Sequence, residues 1–267
     1  MHTITSRDNQ YLKMARAVQS KKGREEHGCY LLEGLRLVSE ALDCGVPALF
    51  ALFAEGALAD ARMQALVRRL EERQIPAAAV GDQLFANLSA TEHPQGVALL
   101  ANFLAPALQP PEPEHPCFLY ADDIRDPGNL GAIIRTAHAA GAGGLILSRE
   151  SADIYNPKVL RAAMGATFKL PMCRTAHRRQ ALALMRELKL HIYTAAAQGR
   201  DIREAGLDFA APHIWVLGSE AEGADPFWLT EAKAVVRLPM RPGAESLNVA
   251  AAGAALLYYS YFAFHDK

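Results

Sequence analysis

Five prolines fall within the twelve residues Ala105-Pro106-Ala107-Leu108-Gln109-Pro110-Pro111-Glu112-Pro113-Glu114-His115-Pro116. Proline locks φ and has no N–H to donate, so neither a helix nor a central strand can run through such a stretch. It reads instead as an extended connector. The chain of 267 residues is therefore expected to fold as two bodies, an N-terminal domain over 1–104 and a C-terminal domain over 117–267, joined by a linker at 105–116. Hydrophobic residues make up 51% of the chain, enough to fill two cores. No internal repeat is visible.

Apolar patterning assigns a fold class to each body. In the first, helical spacing runs from Asn9 to Ser20, with Leu12, Ala15 and Val18 on one face. Further helices are expected over Gly34–Cys44 and Ala59–Arg73, with strands at Tyr30–Leu32, Leu49–Phe53, Ala77–Val80 and Gly96–Ala101. This is a small α/β domain with no cluster of catalytic residue types. The second body alternates more regularly. Strands are expected at Phe118–Ala121, Gly144–Ser148, Lys169–Cys173, His191–Ala196, His213–Leu217 and Ala234–Leu238. Helices are expected at Leu130–Ala140, Pro157–Met164, Arg178–Lys189 and Asn248–Phe262. Short, continuously apolar strands alternating with helices imply a parallel sheet covered on both faces.

Composition excludes several function classes. The four cysteines, Cys29, Cys44, Cys117 and Cys173, show no paired spacing, which argues against a zinc site or a disulfide framework and suits a reducing compartment. The N-terminus has no apolar signal core, and no apolar run is long enough to span a bilayer. A soluble cytoplasmic protein without a metal is expected. The net charge of −1 does not announce a nucleic-acid binder, but its distribution is uneven. Residues 1–24 carry Arg7, Lys13, Arg16, Lys21, Lys22 and Arg24 against Asp8 alone. Between Gly144 and Gln180 stand Arg149, Lys158, Arg161, Lys169, Arg174, Arg178 and Arg179 against Glu150 and Asp153. Each patch is either a phosphate track or ordinary solvated surface charge.

Three segments of the second body place polar residues where a strand ends or a helix begins, the position at which open α/β sheets bind ligands. In Asp126-Pro127-Gly128-Asn129-Leu130-Gly131-Ala132-Ile133-Ile134-Arg135, Asn129 is placed to cap a helix. Arg135 follows six residues later, amid Ile133, Ile134 and Ala137, and needs a partner if it is buried. In Leu217-Gly218-Ser219-Glu220-Ala221-Glu222-Gly223, glycine permits close backbone approach, and Glu220 is either an acceptor for a ligand or an ordinary turn carboxylate. In Leu238-Pro239-Met240-Arg241-Pro242-Gly243-Ala244-Glu245-Ser246-Leu247-Asn248-Val249, Ser246 is expected to cap an alanine-rich helix that can pack closely against a neighbour. The cluster Gly141-Ala142-Gly143-Gly144 follows a helix and precedes a strand, the reverse of a dinucleotide fingerprint, so it reads as a helix end and a turn.

In this order and spacing, the three segments resemble the motifs of the SpoU (TrmH-type) RNA 2′-O-ribose methyltransferases, over Phe118 to Phe262. The stretch Gly28 to Val38, which contains Arg36, is similar to the RNA substrate-binding domain fused to many bacterial members. One departure is Gly243, one position later than in several relatives. The resemblance implies a C-terminal SPOUT domain tied in a deep trefoil knot, which nothing in composition or periodicity could show. It implies S-adenosyl-L-methionine as methyl donor, bound through Thr194, Ala195, Ala196, Leu217, Gly218, Leu238, Met240 and Leu247. It implies a catalytic set of Arg135, Asn129, Glu220, Ser246 and Asn248, with Arg135 promoting attack by a ribose 2′-oxygen and no metal involved. It further implies a homodimer built on the C-terminal helix, and an RNA substrate contacted by Arg7, Lys13, Arg16, Lys21, Lys22, Arg24 and Arg36. Large-subunit ribosomal RNA is placed ahead of transfer RNA. The rival readings are a tRNA 2′-O-methyltransferase, a knotted base methyltransferase, and a non-catalytic RNA-binding or ribosome-assembly module.

Overall fold

A computed structural model describes residues 1–89, 94–104 and 106–265. Ala105 of the expected linker and Asp266 and Lys267 of the expected C-terminal domain lie outside the described residues. The chain divides into one unit of 1–104 with 155–168, and a second of 105–154 with 169–267.

In chain order the first unit contributes β1 (His2–Ile4), α1 (Gln10–Ala17), α2 (Lys21–His27), β2 (Cys29–Glu33) and α3 (Leu35–Asp43). It continues through β3 (Ala48–Ala54), α4 (Ala61–Glu72), β4 (Ala77–Val80), α5 (Asp82–Ala86) and β5 (Val97–Asn102). The strands form one sheet in the order β1-β4-β3-β5-β2, parallel from β1 to β3 and antiparallel from β3 to β2. Strand residues alternate between faces. Leu31, Phe50, Leu52, Leu100 and their neighbours pack with Leu12 and Ala15 of α1 and Phe85 of α5. Leu32, Phe53, Leu99 and their neighbours pack with Val38 of α3 and Leu66 of α4. The sheet is thus covered on both sides. Three elements were not legible. The strand β1 is a three-residue edge, α5 is five residues long, and α2 (KKGREEH) has no apolar stripe for periodicity to register.

The second unit begins with β6 (Cys117–Ala121), α6 (Pro127–Ala139) and β7 (Gly144–Leu147). The next helix, α7 (Pro157–Ala163), belongs to the first unit, although the sequence placed it among the C-terminal helices. Leu160 of α7 and Phe168 are buried in the same core as Tyr30, Leu32 and Val38. The chain then returns as β8 (Met172–Arg174), α8 (Arg178–Glu187), β9 (His191–Asp201), β10 (His213–Leu217), α9 (Pro226–Glu231), β11 (Ala234–Arg237) and α10 (Val249–His265). The sheet order is β11-β9-β10-β6-β7-β8 and every neighbouring pair is parallel. The expected linker is not a free tether. Pro106 O accepts from Met172 N at 2.8 Å, and Leu108 packs into the core of this sheet.

Again the period of two decides which residue faces which layer. Phe118, Tyr120, Ile146, Ile214 and Val216 face α8 and Trp228 of α9. On the opposite face α10 packs against α6 and β10. There, Trp215 Nε1 donates to Ser260 Oγ at 2.8 Å, which lies 3.1 Å from His213 Nε2, while His213 Nδ1 lies 2.9 Å from Ala211 O. Trp215 to Ser260 to His213 to the Ala211 carbonyl is a fully satisfied chain when His213 is neutral. Burial pushes the His213 pKa down to about 4. A Cβ at Gly253 would come within 2.9 Å of Leu217 Cδ1, so the bare glycine lets α10 lie close to the end of β10. Among the described residues, no helix is long and apolar enough to cross a membrane.

Candidate active site

The first, second and third motif segments meet at the carboxyl ends of the sheet. At the first, Asp126, not Asn129, caps α6: its carboxylate accepts from Asn129 N at 2.7 Å, and Pro127 occupies the first helical position. Asn129 therefore sits inside the first turn with its side chain released from capping. That side chain bridges the other two segments. Its Nδ2 donates to Glu220 Oε1 at 3.1 Å, and its Oδ1 accepts from Asn248 Nδ2 at 2.8 Å. Glu220 also accepts from the backbone N–H groups of Arg125 at 3.4 Å and Asp126 at 3.3 Å. It is thus aimed at the positive end of α6. Asn248, not Ser246, caps α10, accepting from Ala250 N at 2.9 Å and Ala251 N at 3.2 Å. Asparagine or aspartate serves as cap in both places because its short side chain reaches the free N–H groups of the first turn.

These residues stand at the rim of a pocket of about 630 Å³. Its walls include Ala195 and Ala196, Leu217 and Gly218, Leu238 and Met240, and Ser246 and Leu247. Ala195 and Ala196 reach it because β9 leaves register with β11. Val235 pairs with Thr194, whereas the next residue, Val236, pairs with Arg200. Gly218 is required by its own loop. A Cβ there would lie 2.1 Å from Gly223 O and 2.4 Å from Ala224 N, so glycine lets the turn from Ser219 to Gly223 fold back on β10. The expectation that Gly218 keeps space for a ligand is thus replaced by a packing reason. Thr194 is corrected outright: it is fully buried, its hydroxyl donates to Trp228 O at 3.2 Å, and it does not line the pocket.

The lining fits S-adenosylmethionine on two counts. Leu217, Leu238, Leu247 and Val249 supply an apolar wall with peptide groups between them, as an adenine needs. The charged side chains there are Glu220, Glu222 and Glu245 against Arg237, an acidic excess that suits a sulfonium cation. Among the described residues, no cluster of three or more His, Cys, Asp and Glu residues could hold a metal ion.

Arg135 is not part of this pocket. Six residues at 100° each rotate it about 120° away from Asn129 around α6. It is exposed, and among the described residues it makes no hydrogen bond or ion pair. The condition under which the sequence demanded a partner, burial, does not apply.

The N-terminal basic residues separate into two kinds. Arg7, Lys13, Lys21, Lys22 and Arg36 are exposed and Arg16 is half-buried, its guanidinium donating to Arg7 O at 3.2 Å. Lys13 pairs with Asp8 at 2.9 Å, Lys21 with Glu25 at 3.9 Å and Lys22 with Glu26 at 3.6 Å. The patch is therefore more nearly neutral than residues 1–24 alone suggested. Arg24 is a correction: it is 3% exposed and its guanidinium donates to Val18 O and Gln19 O, closing the end of α1. An arginine committed to buried carbonyls is not available to a phosphate.

Comparison with known proteins places this geometry. Residues 116–258 match the model of the SpoU rRNA methylase family, and residues 9–99 match that of the MRM3-like substrate binding domain. The chain is 29% identical to the 23S rRNA guanosine 2′-O-methyltransferase RlmP of Bacillus subtilis, over 97% of this chain and 99% of that one. It is 29% identical to a 23S rRNA uridine 2′-O-methyltransferase of Streptomyces viridochromogenes, over 96% of this chain and 90% of that one. The crystal structure of an AdoMet-bound rRNA methyltransferase from Sinorhizobium meliloti superposes with a TM-score of 0.86 at 29% identity, covering 98% of each chain. With its three motif segments joined at one pocket and the family model matching more than half its length, the chain belongs to the SpoU rRNA methylase family.

Proposed function

We propose that the protein methylates a ribose 2′-hydroxyl in large-subunit ribosomal RNA. The observation that carries this reading is the bridge Glu220–Asn129–Asn248, which ties all three motif segments together at the rim of the 630 Å³ pocket. The two 23S rRNA relatives act on different bases, guanosine and uridine, but at the same ribose position, so the shared scaffold suits attack by the sugar oxygen. S-adenosylmethionine supplies the methyl group as an electrophilic sulfonium.

The chain's own residues bind, orient and stabilise. The backbone around Ala195, Gly218, Leu238 and Leu247 holds the donor, and the bridged carboxylate of Glu220 lies beside the positive charge. A hydroxyl is a weak nucleophile until its proton leaves, and a guanidinium, always charged, stabilises the alkoxide that develops. Arg135 is the guanidinium we assign to that role. Its exposed position on α6, outside its own chain's pocket, supports a homodimer in which Arg135 completes the site of the partner. The exposed aromatic surface of α10, with Tyr258 37% and Phe262 56% exposed, supplies apolar area for that contact. We also assign the trefoil knot to the second unit. The chain passes from β10 inside the sheet to β11 at its edge and back to α10 against α6, so the segments 218–225 and 238–248 cross at the pocket. The first unit is the RNA reader and the protein works in the cytoplasm.

The test is methyl transfer in vitro from isotopically labelled donor to unmodified ribosomal RNA, followed by alkaline hydrolysis. A 2′-O-methylated ribose leaves an alkali-resistant labelled dinucleotide. Label in mononucleotides would instead mark a base methyltransferase, and no incorporation would mark a non-catalytic module.

A further inference from the structure

A second cavity, of about 700 Å³, opens at the carboxyl ends of β6, β7 and β8. It is separate from the donor pocket but shares a loop with it: Ala224 lines one and the next residue, Asp225, lines the other. It gathers three arginines from the basic stretch between Gly144 and Gln180 that the methyl-transfer site leaves unused, Arg149, Arg178 and Arg179.

Its walls are fixed. The Arg174 guanidinium donates to the carbonyls of Ser148, Arg149, Ser151 and Ala152 at 2.7–2.9 Å, which pins the loop after β7. Arg178 is held from two sides. Its Nε donates to Asp122 Oδ2 at 2.9 Å, and its guanidinium pairs with Asp225 at 3.2 Å. Asp122 lies 2% exposed beneath it and also accepts from Trp228 Nε1 at 3.1 Å. Burial would raise the Asp122 pKa, and the guanidinium opposes that rise. Arg178 thus organises the floor, and its charge is matched.

The remaining groups define what can enter. Asp123 is committed to Arg125 at 2.8 Å. Arg149 and Arg179 are exposed and, among the described residues, unpaired, with Glu150 as the one opposing free carboxylate. His177 Nδ1 accepts from Gln180 N at 3.1 Å, so in the neutral ring the proton is on Nε2, which is left as a donor. Phe227, half-buried, adds an aromatic wall. Cationic donors beside an aromatic face match a nucleoside phosphate: guanidinium groups bind its phosphate and the ring stacks on its base. The volume falls within the range of small-molecule sites, about 300–1,000 Å³.

We propose that this cavity seats a second nucleotide of the RNA substrate, near the methylated one, with its phosphate on Arg149 and Arg179 and its base against Phe227. The proposal rests on the RNA-methyltransferase reading of the neighbouring pocket. The test uses binding, so that the two can fail separately. The full-length protein is saturated with S-adenosylhomocysteine. Fluorescence anisotropy then measures its affinity for a labelled single-stranded octauridylate over a salt series. The variants are Arg149→Ala with Arg179→Ala, and Phe227→Leu, which keeps volume and removes the stacking face.

The double variant is expected to bind about tenfold more weakly and to flatten the salt dependence by a slope of about 1.4, two phosphate contacts on a single strand. Phe227→Leu is expected to weaken binding by about tenfold without altering the slope. S-adenosylhomocysteine affinity and melting temperature should stay at wild-type values in both. Octauridylate binding unchanged in the double variant would overturn the proposal, as would loss that tracks melting temperature. Adenosine monophosphate serves as a second probe. Variants that lose it while keeping octauridylate would assign the cavity to a free nucleotide and overturn the RNA assignment. A protein that binds RNA through this cavity yet transfers no methyl group would leave this inference standing and sink the function proposed above.

Discussion

Replacing Gly218 by alanine should disable donor binding while leaving the second unit folded. A Cβ at this position would stand 2.1 Å from Gly223 O, 2.2 Å from its carbonyl carbon and 2.4 Å from Ala224 N. All three are backbone atoms, so no side chain can swing away. Contacts below 3.0 Å are essentially never seen for a real Cβ, and the turn must retreat by about 1 Å. That turn carries Glu220, whose carboxylate is held to Asn129 at 3.1 Å, and five of its neighbours line the donor pocket. A displacement of this size should lower donor affinity by about a hundredfold. Overpacking should cost about 1–3 kcal/mol of stability, a shift of a few degrees in melting temperature. Gly223→Ala is the matched control. It meets no atom within 4 Å but is held at φ +71°, so it carries backbone strain of about 1–2 kcal/mol without a collision. Calorimetric titration with S-adenosylhomocysteine, alongside thermal unfolding, separates the two effects. Gly223→Ala should lose stability with only a small loss of affinity. If Gly218→Ala binds within about threefold of wild type, the turn is not held by that contact and the reasoning is wrong.

Arg135→Ala should leave donor affinity intact, since Arg135 does not line the pocket, and should cut turnover about a hundredfold to a thousandfold in a single-turnover assay. Arg135→Lys should recover little, because lysine lacks the planar fork. Burial holds the His213 pKa down at about 4, below the ordinary 6.5. The unfolded chain therefore takes up the proton first as pH falls. Stability present above pH 6.5 should decline by about 3 kcal/mol on the way to pH 4, and denaturant titrations of His213→Asn should show a flatter slope over that window. A fragment starting at His115 keeps all three motif segments but separates Val159, Leu160 and Phe168, each at most 6% exposed, from their partners in the first unit. It should aggregate or melt well below the full chain in a thermal scan.

What could be read before the structure follows from what periodicity records. The strands Cys117–Ala121 and His213–Leu217 are continuously apolar because a central parallel strand is buried on both faces, and such runs stand out. The alanine-rich stretch ahead of Phe262 announced a closely packed helix, and Gly253 over Leu217 is where that closeness is used. The motif residues Asn129, Glu220 and Asn248 do meet, but their roles shifted. Capping moved to Asp126 and Asn248, because one residue of register decides which oxygen reaches a free N–H. Arg135 could not be oriented without knowing that Asn129 already lies inside the helix. Arg24 looked like its lysine neighbours, since a charge count carries no burial. The allegiance of α7 to the first unit is a long-range contact, and its own sequence reads as an ordinary amphipathic helix either way. The Arg174 clasp on four carbonyls was equally silent, because its partners are backbone groups.

The account's central claim is that this site methylates a ribose in large-subunit ribosomal RNA. Mapping 2′-O-methylated positions across the ribosomal RNA of cells with and without the gene tests it most directly. The account predicts one position in large-subunit RNA that is methylated only when the gene is present, and that stays unmethylated when the gene carries Arg135→Ala. Identical maps in the two strains, or a lost mark confined to transfer RNA, would contradict it.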